Sequence, residues 1–134
     1  AMAVGMDEGL LVPVVHGAEK LGLVDLMLRL KDITERAVGK KLTPQDQEGS
    51  TFTISNLGMY GVESFTSIIN QPNSAILSIA GTKEMPVVRN GEVVIRPIMK
   101  MSLTSDHRVI NGLGAAKFMQ ELKATLESPL PLLV

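Results

Sequence analysis

Residues 85–97 read MPVVRNGEVVIRP and place Asn90-Gly91 between two runs rich in β-branched side chains. An Asn-Gly pair between such runs is typical of a two-residue hairpin turn, because both turn positions must adopt positive φ. The stretch therefore predicts two antiparallel strands. Pro97 has no N–H to give to a ladder, so the second strand is expected to lie at a sheet edge or to carry a bulge.

The second strand of this hairpin continues to Thr104 with regular alternation. Alternate side chains of a strand share a face, so one apolar set faces one way; this set is Val93, Ile95, Pro97, Met99, Met101 and Leu103. Residues 113–127 then predict an amphipathic helix, whose apolar positions are Ala115, Phe118, Met119, Leu122 and Leu126. We thus expect a long strand that leads through a short loop into a helix.

The first half of the sequence predicts a mixture of helix and strand. Residues 10–15 form a short apolar run bounded by glycines and predict a buried strand. Apolar residues at helical spacing over 23–37 predict a helix that Gly39 ends. TFTIS at 51–55 and the run at 74–80 predict two further strands. The predicted fold class is α+β.

Composition excludes several classes of function. The formal net charge of the 134 residues is −1, so the basic surface of a nucleic-acid-binding protein is not expected. Without cysteine, neither a disulfide framework nor a thiolate metal site is expected. No run reaches the roughly 18 apolar residues of a membrane helix, and the N-terminus lacks a secretory pattern. We expect a single globular domain that binds neither nucleic acid nor membrane.

The stretch SDHRVINGLGAAKF, at 105–118, places a histidine between an acid and a base. His107 falls in the loop between the predicted strand and helix, where rigid scaffolds tend to present reactive groups. A lone loop histidine is also commonly an ordinary surface residue. Asn111 suits a helix N-cap, and Gly112 offers backbone freedom. The residues alone leave open whether His107 is a catalytic base.

Three segments resemble, in order, the dihydrolipoamide acyltransferases, which are the E2 cores of 2-oxo acid dehydrogenase complexes. DHRVINGLGAAKF at 106–118 is similar to their H-x-x-x-D-G signature, TFTISNLGMYGVESFTSIINQPNSAIL at 51–77 resembles an upstream segment, and GLLVPVV at 9–15 also fits. The resemblance implies an α+β fold with a mixed sheet and flanking helices, like that of the related chloramphenicol acetyltransferases. It further implies that 1–134 is the C-terminal portion of the catalytic domain, without the N-terminal part of that domain.

The resemblance also implies a chemistry, which is transfer of an acyl group from acyl-dihydrolipoamide to coenzyme A. His107 matches the general base that takes the proton of the coenzyme A thiol, and Ser55 matches the hydroxyl that hydrogen-bonds the oxyanion. TISNLGMYG and SDHRVING look nearest to the pyruvate type, which implies acetyl transfer. The lipoyl group is expected on a separate domain, and no metal is expected.

Asn111 departs from the aspartate that is usual in the signature. An amide keeps hydrogen-bonding capacity but cannot act as a base or a counter-charge. The resemblance implies that Asn111 belongs to the catalytic site with His107 and Ser55, and we expect it to act there by capping the helix and orienting the loop. A backbone carbonyl is then expected to fix the His107 tautomer. Asp106, Arg108 and Gly112 are expected to support the site rather than to react.

E2 cores are trimers stacked into cubic or dodecahedral shells, with active sites between subunits, so the resemblance implies a homo-oligomer. His107 and Ser55 would then come from different chains. The apolar tail PLPLLV at 129–134 either packs on its own domain or takes part in assembly. The implied partners of the full-length protein are the lipoyl domain and the E1 and E3 components, in the cytoplasm of a bacterium or the mitochondrial matrix of a eukaryote.

Two alternatives stay open on the residues. The first is a non-catalytic, self-associating structural fragment of an E2 core. The second is a metal hydrolase built on Asp106 and His107, which is disfavoured because no further cluster of His, Asp or Glu supplies ligands at useful spacing. His16 belongs to no motif and is expected to be a surface residue.

Overall fold

A computed structural model describes residues 1–6 and 9–132, except for the side chain of Pro131. The strands are β1 (Val4–Met6), β2 (Gly9–Leu11), β3 (Thr53–Asn56), β4 (Ala75–Arg89) and β5 (Glu92–Ser105), and the α-helices are α1 (Leu23–Val38) and α2 (Gly112–Glu127). Short 3-10 turns occupy Ala18–Lys20, Pro44–Gln47, Gly58–Tyr60 and Leu130–Leu132. The predicted alternation of helix and strand is confirmed.

The main sheet has the order β3-β4-β5, with β3 parallel and β5 antiparallel to β4. It is therefore the mixed sheet that was expected. The first two strands form a separate antiparallel ribbon. Ahead of this ribbon, Met2 forms an isolated parallel bridge with Ile54, so the start of the chain runs beside β3.

The predicted hairpin joins β4 to β5. Asn90 and Gly91 both have positive φ, 53° and 82°, as a two-residue turn of this kind requires. Pro97 lies on β5, an outer strand of the sheet, which confirms the expected edge. The run at 74–80 and the first arm of the hairpin are one strand rather than two, because a register shift between Ile79 and Thr82 bends the strand without ending it.

The predicted strand over 10–15 is wrong in extent and in burial. Only Gly9–Leu11 is a strand, and it pairs with β1 in the separate ribbon, so Leu10 is 62% exposed. The ladder ends before Pro13, which has no N–H, and the N–H of Val14 bonds the carbonyl of Asp46 instead. Pro13 and Val14 are nevertheless buried, so this run contributes to the core from outside the sheet.

One face of the main sheet carries a row of serines. Ser55, Ser78 and Ser102 are in register across the three strands and share one face. Residues 57–74, which connect β3 to β4, reach this face, where the hydroxyls of Ser67 and Ser78 are 2.7 Å apart. A polar, hydrogen-bonded layer therefore lies beside Ser55.

The hydrophobic core is small, and much of the apolar surface is uncovered. Ile33 and Ala37 of α1 are buried, while Leu23 and Met27, on the predicted apolar face of the same helix, are 64% and 59% exposed. The accessible surface is 9838 Å², whereas a compact monomer of this mass exposes about 6,800 Å². The folded chain thus presents far more surface than a compact monomer, much of it apolar.

Within residues 1–6 and 9–132, no helix is long and apolar enough to cross a membrane. Leu130 and Leu132 of the apolar tail are 70% and 61% exposed. The last two residues of that tail, 133–134, lie outside the described residues.

Candidate active site

The loop that carries His107 is anchored to the sheet through Asp106. The backbone N–H of Asp106 donates to the carbonyl of Ser74 at 2.8 Å, just before β4 begins. The Asp106 carbonyl accepts the N–H groups of Val109 and Ile110 at 3.0 and 2.8 Å. The end of β5 and the turn after it are therefore held together around His107.

The side chain of Asp106 forms an ion pair with Arg108. Its carboxylate accepts the backbone N–H of Arg108 at 3.0 Å and the guanidinium N–H groups at 2.6 to 3.1 Å. These hydrogen bonds lower the pKa of Asp106 to about 2 and raise the pKa of Arg108. The Arg108 side chain is 86% exposed and that of Asp106 only 23%, so the carboxylate is enclosed by its own loop.

The ring of His107 is exposed. Within the described part of the chain, no backbone or side-chain group hydrogen-bonds the ring. The expected backbone carbonyl that would fix its tautomer is therefore not found among these residues. The imidazole is open to an incoming substrate or to a second chain.

Asn111 is the N-cap of α2, as predicted. It has extended backbone angles, and its Oδ1 accepts the N–H of Gly114 at 2.8 Å. Gly112 begins the helix, with open space where a Cβ would lie and without the positive φ that would require glycine. The structure therefore gives no reason for glycine at 112, whereas it shows how Asn111 fixes the far end of the loop.

Ser55 lies on β3 opposite Ser78 and is half-buried. Among residues 1–6 and 9–132, nothing hydrogen-bonds its hydroxyl, whereas the neighbouring Ser78 is 1% exposed and bonded to Ser67. A free, partly accessible hydroxyl is what an oxyanion donor needs.

The segment at residues 56–58, where β3 ends, packs tightly on the bulge in β4. Asn56 Oδ1 accepts the N–H of Gly58 at 2.8 Å, and the N–H of Leu57 bonds Ile79. A Cβ on Gly58 would lie 3.0 Å from the carbonyl oxygen of Ala80. A side chain here would force one of the two backbones to shift, so glycine suits this close approach.

A single chain does not bring Ser55 and His107 into one site. Ser55 on β3 and Ser102 on β5 are both in register with Ser78 on β4, which lies between them. Strand spacings therefore put Ser55 about 14 Å from Ser105, the last residue of β5, and His107 follows two residues later.

Sequence reasoning missed the polar residues that support β3. Asn70 donates to Thr53 Oγ1 at 3.3 Å, Thr53 donates to Asn73 Oδ1 at 3.3 Å, and Asn73 donates to Ser50 Oγ at 2.8 Å. Thr53 and Asn73 are both buried. The only sequence signal was that Asn70 and Asn73 flank a proline, which is equally typical of an ordinary turn.

His16 and the Arg36–Asp46 pair make their hydrogen bonds outside this site. His16 is exposed and bonds the carbonyl of Gln45 at 3.2 Å through Nε2. Arg36 forms a bidentate pair with Asp46 at 2.6 and 3.0 Å. No group of three or more His, Asp or Glu side chains in the described ranges could hold a metal ion.

A family model described as 2-oxoacid dehydrogenases acyltransferase (catalytic domain) matches residues 1–134. The acetyltransferase component of the Rickettsia felis pyruvate dehydrogenase complex is 38% identical over the whole chain, which spans 32% of that protein. The succinyltransferase component of the Saccharomyces cerevisiae 2-oxoglutarate dehydrogenase complex is 41% identical, again over the whole chain and 29% of that protein. The chain thus spans about a third of the length of these relatives.

Two solved structures show the same fold. One, of the Azotobacter vinelandii dihydrolipoamide acetyltransferase, concerns the role of a serine, a histidine and an asparagine in catalysis; it is 36% identical, with a TM-score of 0.94. The other is the cubic core of a pyruvate dehydrogenase multienzyme complex, 37% identical and also with a TM-score of 0.94. Each match covers 99% of this chain and 55% of the solved chain. The α+β fold expected from the resemblance is confirmed.

Proposed function

Since the chain belongs to the 2-oxoacid dehydrogenase acyltransferase family, we propose that it moves an acetyl group from acetyl-dihydrolipoamide to coenzyme A, with His107 as general base and Ser55 as oxyanion donor. The lipoyl group would be carried by a separate domain. The observation that carries this proposal is a match of spacing. In the Azotobacter enzyme the named histidine follows the named serine by 52 positions and precedes the named asparagine by four. Ser55, His107 and Asn111 have the same separations.

The proposed reaction begins with the coenzyme A thiol. A thiol with a pKa of about 8.5 is largely protonated at neutral pH, so a neutral imidazole at His107 takes its proton as the sulfur attacks the thioester carbonyl. The new carbon–sulfur bond leaves negative charge on the former carbonyl oxygen. The Ser55 hydroxyl donates a hydrogen bond to this oxygen. The intermediate then collapses, the bond to the lipoyl sulfur breaks, and the imidazolium of His107 returns the proton to that sulfur.

The geometry of the single chain favours a site shared between chains. A base and an oxyanion donor must both lie within hydrogen-bonding reach of one reacting thioester. The spacing from Ser55 to the end of β5, about 14 Å, is too long for this. We therefore place Ser55 of one chain opposite His107 of another, in a trimer that forms part of a larger core. The similarity to a solved cubic core supports this assembly.

A transfer assay tests the chemistry. The full-length protein is given acetyl-dihydrolipoamide and coenzyme A, and succinyl-dihydrolipoamide serves as the competing donor because a succinyltransferase is equally similar. The acetyl donor should be used faster. His107→Ala should lower kcat by about 10²–10⁴ if the histidine is the general base. A loss within about threefold would contradict the mechanism, since it would fall below any general-base contribution.

The exposed apolar surface favours a second candidate, a structural piece of an E2 core that self-associates without a complete site. The total accessible surface of the chain exceeds that of a compact monomer of this mass by about 3,000 Å², and many of the exposed side chains are large and apolar. Light scattering and a coenzyme A titration separate the two functions. An oligomer that binds coenzyme A and catalyses acetyl transfer supports the acetyltransferase function. An oligomer that does neither supports the structural role.

A further inference from the structure

The orientation of His107 depends on the backbone that carries it. No hydrogen bond holds its ring among the described residues, so the direction of the ring depends on the neighbouring peptide units and on the side-chain rotamer. A catalytic side chain must be held within about 0.5 Å of its working position. Some feature of the loop must therefore supply this precision.

Asp106 is the residue on which the hydrogen bonds of this loop converge. Its N–H ties the end of β5 to Ser74, and its carbonyl closes the turn through Val109 and Ile110. Its carboxylate reaches over His107 to the N–H and the guanidinium of Arg108. The backbone is thus fixed on both sides of the histidine.

The carboxylate of Asp106 is fully occupied by these contacts. Oδ1 accepts both the backbone N–H and Nε of Arg108, and Oδ2 accepts Nε and Nη2. The side chain is therefore not a direct partner of the His107 ring, although it is adjacent in sequence. Any effect on the ring must pass through the peptide backbone.

We propose that Asp106 and Arg108 form a brace across His107, which presents the imidazole in its working orientation. Both are positioning residues, and neither touches the reacting atoms. This inference rests on the proposed function of His107. The Arg108 guanidinium is largely exposed, and an exposed ion pair ordinarily contributes little to stability. The inference gives this pair a role in activity instead.

The test compares three brace variants in the full-length protein. Asp106→Ala removes the ion pair and the carboxylate acceptor, and should lower kcat by about 10²-fold, the loss expected for a small misplacement. Arg108→Ala keeps the backbone N–H to Asp106 and should have a smaller effect. Asp106→Asn keeps an acceptor for that N–H and should recover part of the loss. The KM values for both substrates should stay near wild type, because the brace does not bind them.

A structural readout separates positioning from simple loss of folding. In protein labelled at the histidine rings, the His107 signal is identified as the one that His107→Ala removes, and the His16 signal as the one that His16→Ala removes. Asp106→Ala should shift or broaden the His107 signal and leave that of His16 unchanged. Glu35→Ala, which removes the partner of Lys31 in another exposed ion pair, is the matched control and should change neither signal nor kcat.

Two outcomes would overturn the brace. One is an unchanged kcat in Asp106→Ala while His107→Ala is inactive, because the base would then work without it. The other is a raised KM for coenzyme A in Arg108→Ala with kcat unchanged, which would make Arg108 a substrate contact. If His107→Ala itself stayed active, the proposed function would fail, and this result is distinct from both.

Discussion

Ser55 and Ser102 lie level with each other on the two outer strands of the main sheet, because both are in register with Ser78 on β4. His107 lies five residues after Ser102 and two residues past the end of β5, away from Ser55. Ser55 and His107 have the same separation in sequence as the serine and histidine named for the Azotobacter enzyme. The strand order nevertheless holds them apart within one chain.

Mixing of subunits should restore activity. Oligomers made only of Ser55→Ala chains or only of His107→Ala chains should be inactive, since every site lacks one residue. Equal mixing of the two in a trimer should leave about a quarter of the sites with both side chains intact, if each site is shared by two neighbours. The measurement is acetyl transfer after the two chains are co-assembled. If the mixed oligomer transferred acetyl groups no faster than each variant alone, both residues of a site would come from the same chain.

The cap of α2 should contribute to stability independently of catalysis. Asn111→Ala removes the acceptor for the N–H of Gly114 and should cost about 1 kcal/mol of unfolding free energy. Asn111→Asp keeps an acceptor and places a negative charge at the helix N-terminus, so it should be at least as stable as wild type. Urea denaturation measures both. Equal stability of the alanine variant would mean that the cap contributes nothing.

The stability of the protein should fall in acid partly through Asp46. Arg36 and Thr43 hold the pKa of its carboxyl well below the usual range. A folded pKa below the unfolded value, about 3.9, means that this stabilisation is complete above that value and declines as the pH falls below it. The difference in unfolding free energy between wild type and Asp46→Asn should therefore be largest near neutrality and shrink below about pH 4.

A control for this pH dependence is Glu35→Gln. Its partner Lys31 lies 3.9 Å away and both side chains are largely exposed, so its effect should be close to zero at every pH. If the Asp46→Asn difference stayed constant between pH 7 and pH 3, the carboxylate would not be the source of the acid sensitivity.

The bulge in β4 should not accept a side chain at Gly81. A Cβ there would lie 3.1 Å from the carbonyl oxygen of Gly58 and 3.3 Å from that of Val62, which accepts the N–H of Gly81. Gly81→Ala should destabilise the fold by about 1–3 kcal/mol, as overpacking does. Gly5→Ala, where a Cβ meets nothing within 4 Å, should change stability by no more than about 0.5 kcal/mol. Similar values for the two variants would show that the bulge can relax.

Several features of the candidate site could be predicted from short stretches of sequence. Asn111 was expected to cap a helix, and it does, because an N-cap needs only the residue and the N–H three positions later. The hairpin at Asn90-Gly91 was predicted for a similar reason, since positive φ is a property of the two residues themselves. The support of β3 by Asn70 and Asn73 could not be predicted, because it joins residues 17 and 20 positions apart through a folded loop.

The sequence by itself determined the elements whose causes are local, namely the hairpin turn, the end of α1 near Gly39 and the cap of α2. Only the tertiary structure decided which distant residues meet. Burial of Leu10 or Met27 depends on what covers them, and the separation of Ser55 from His107 depends on strand order and register. Local patterns determine backbone conformation, whereas proximity between distant residues arises from packing, which no short stretch of sequence contains.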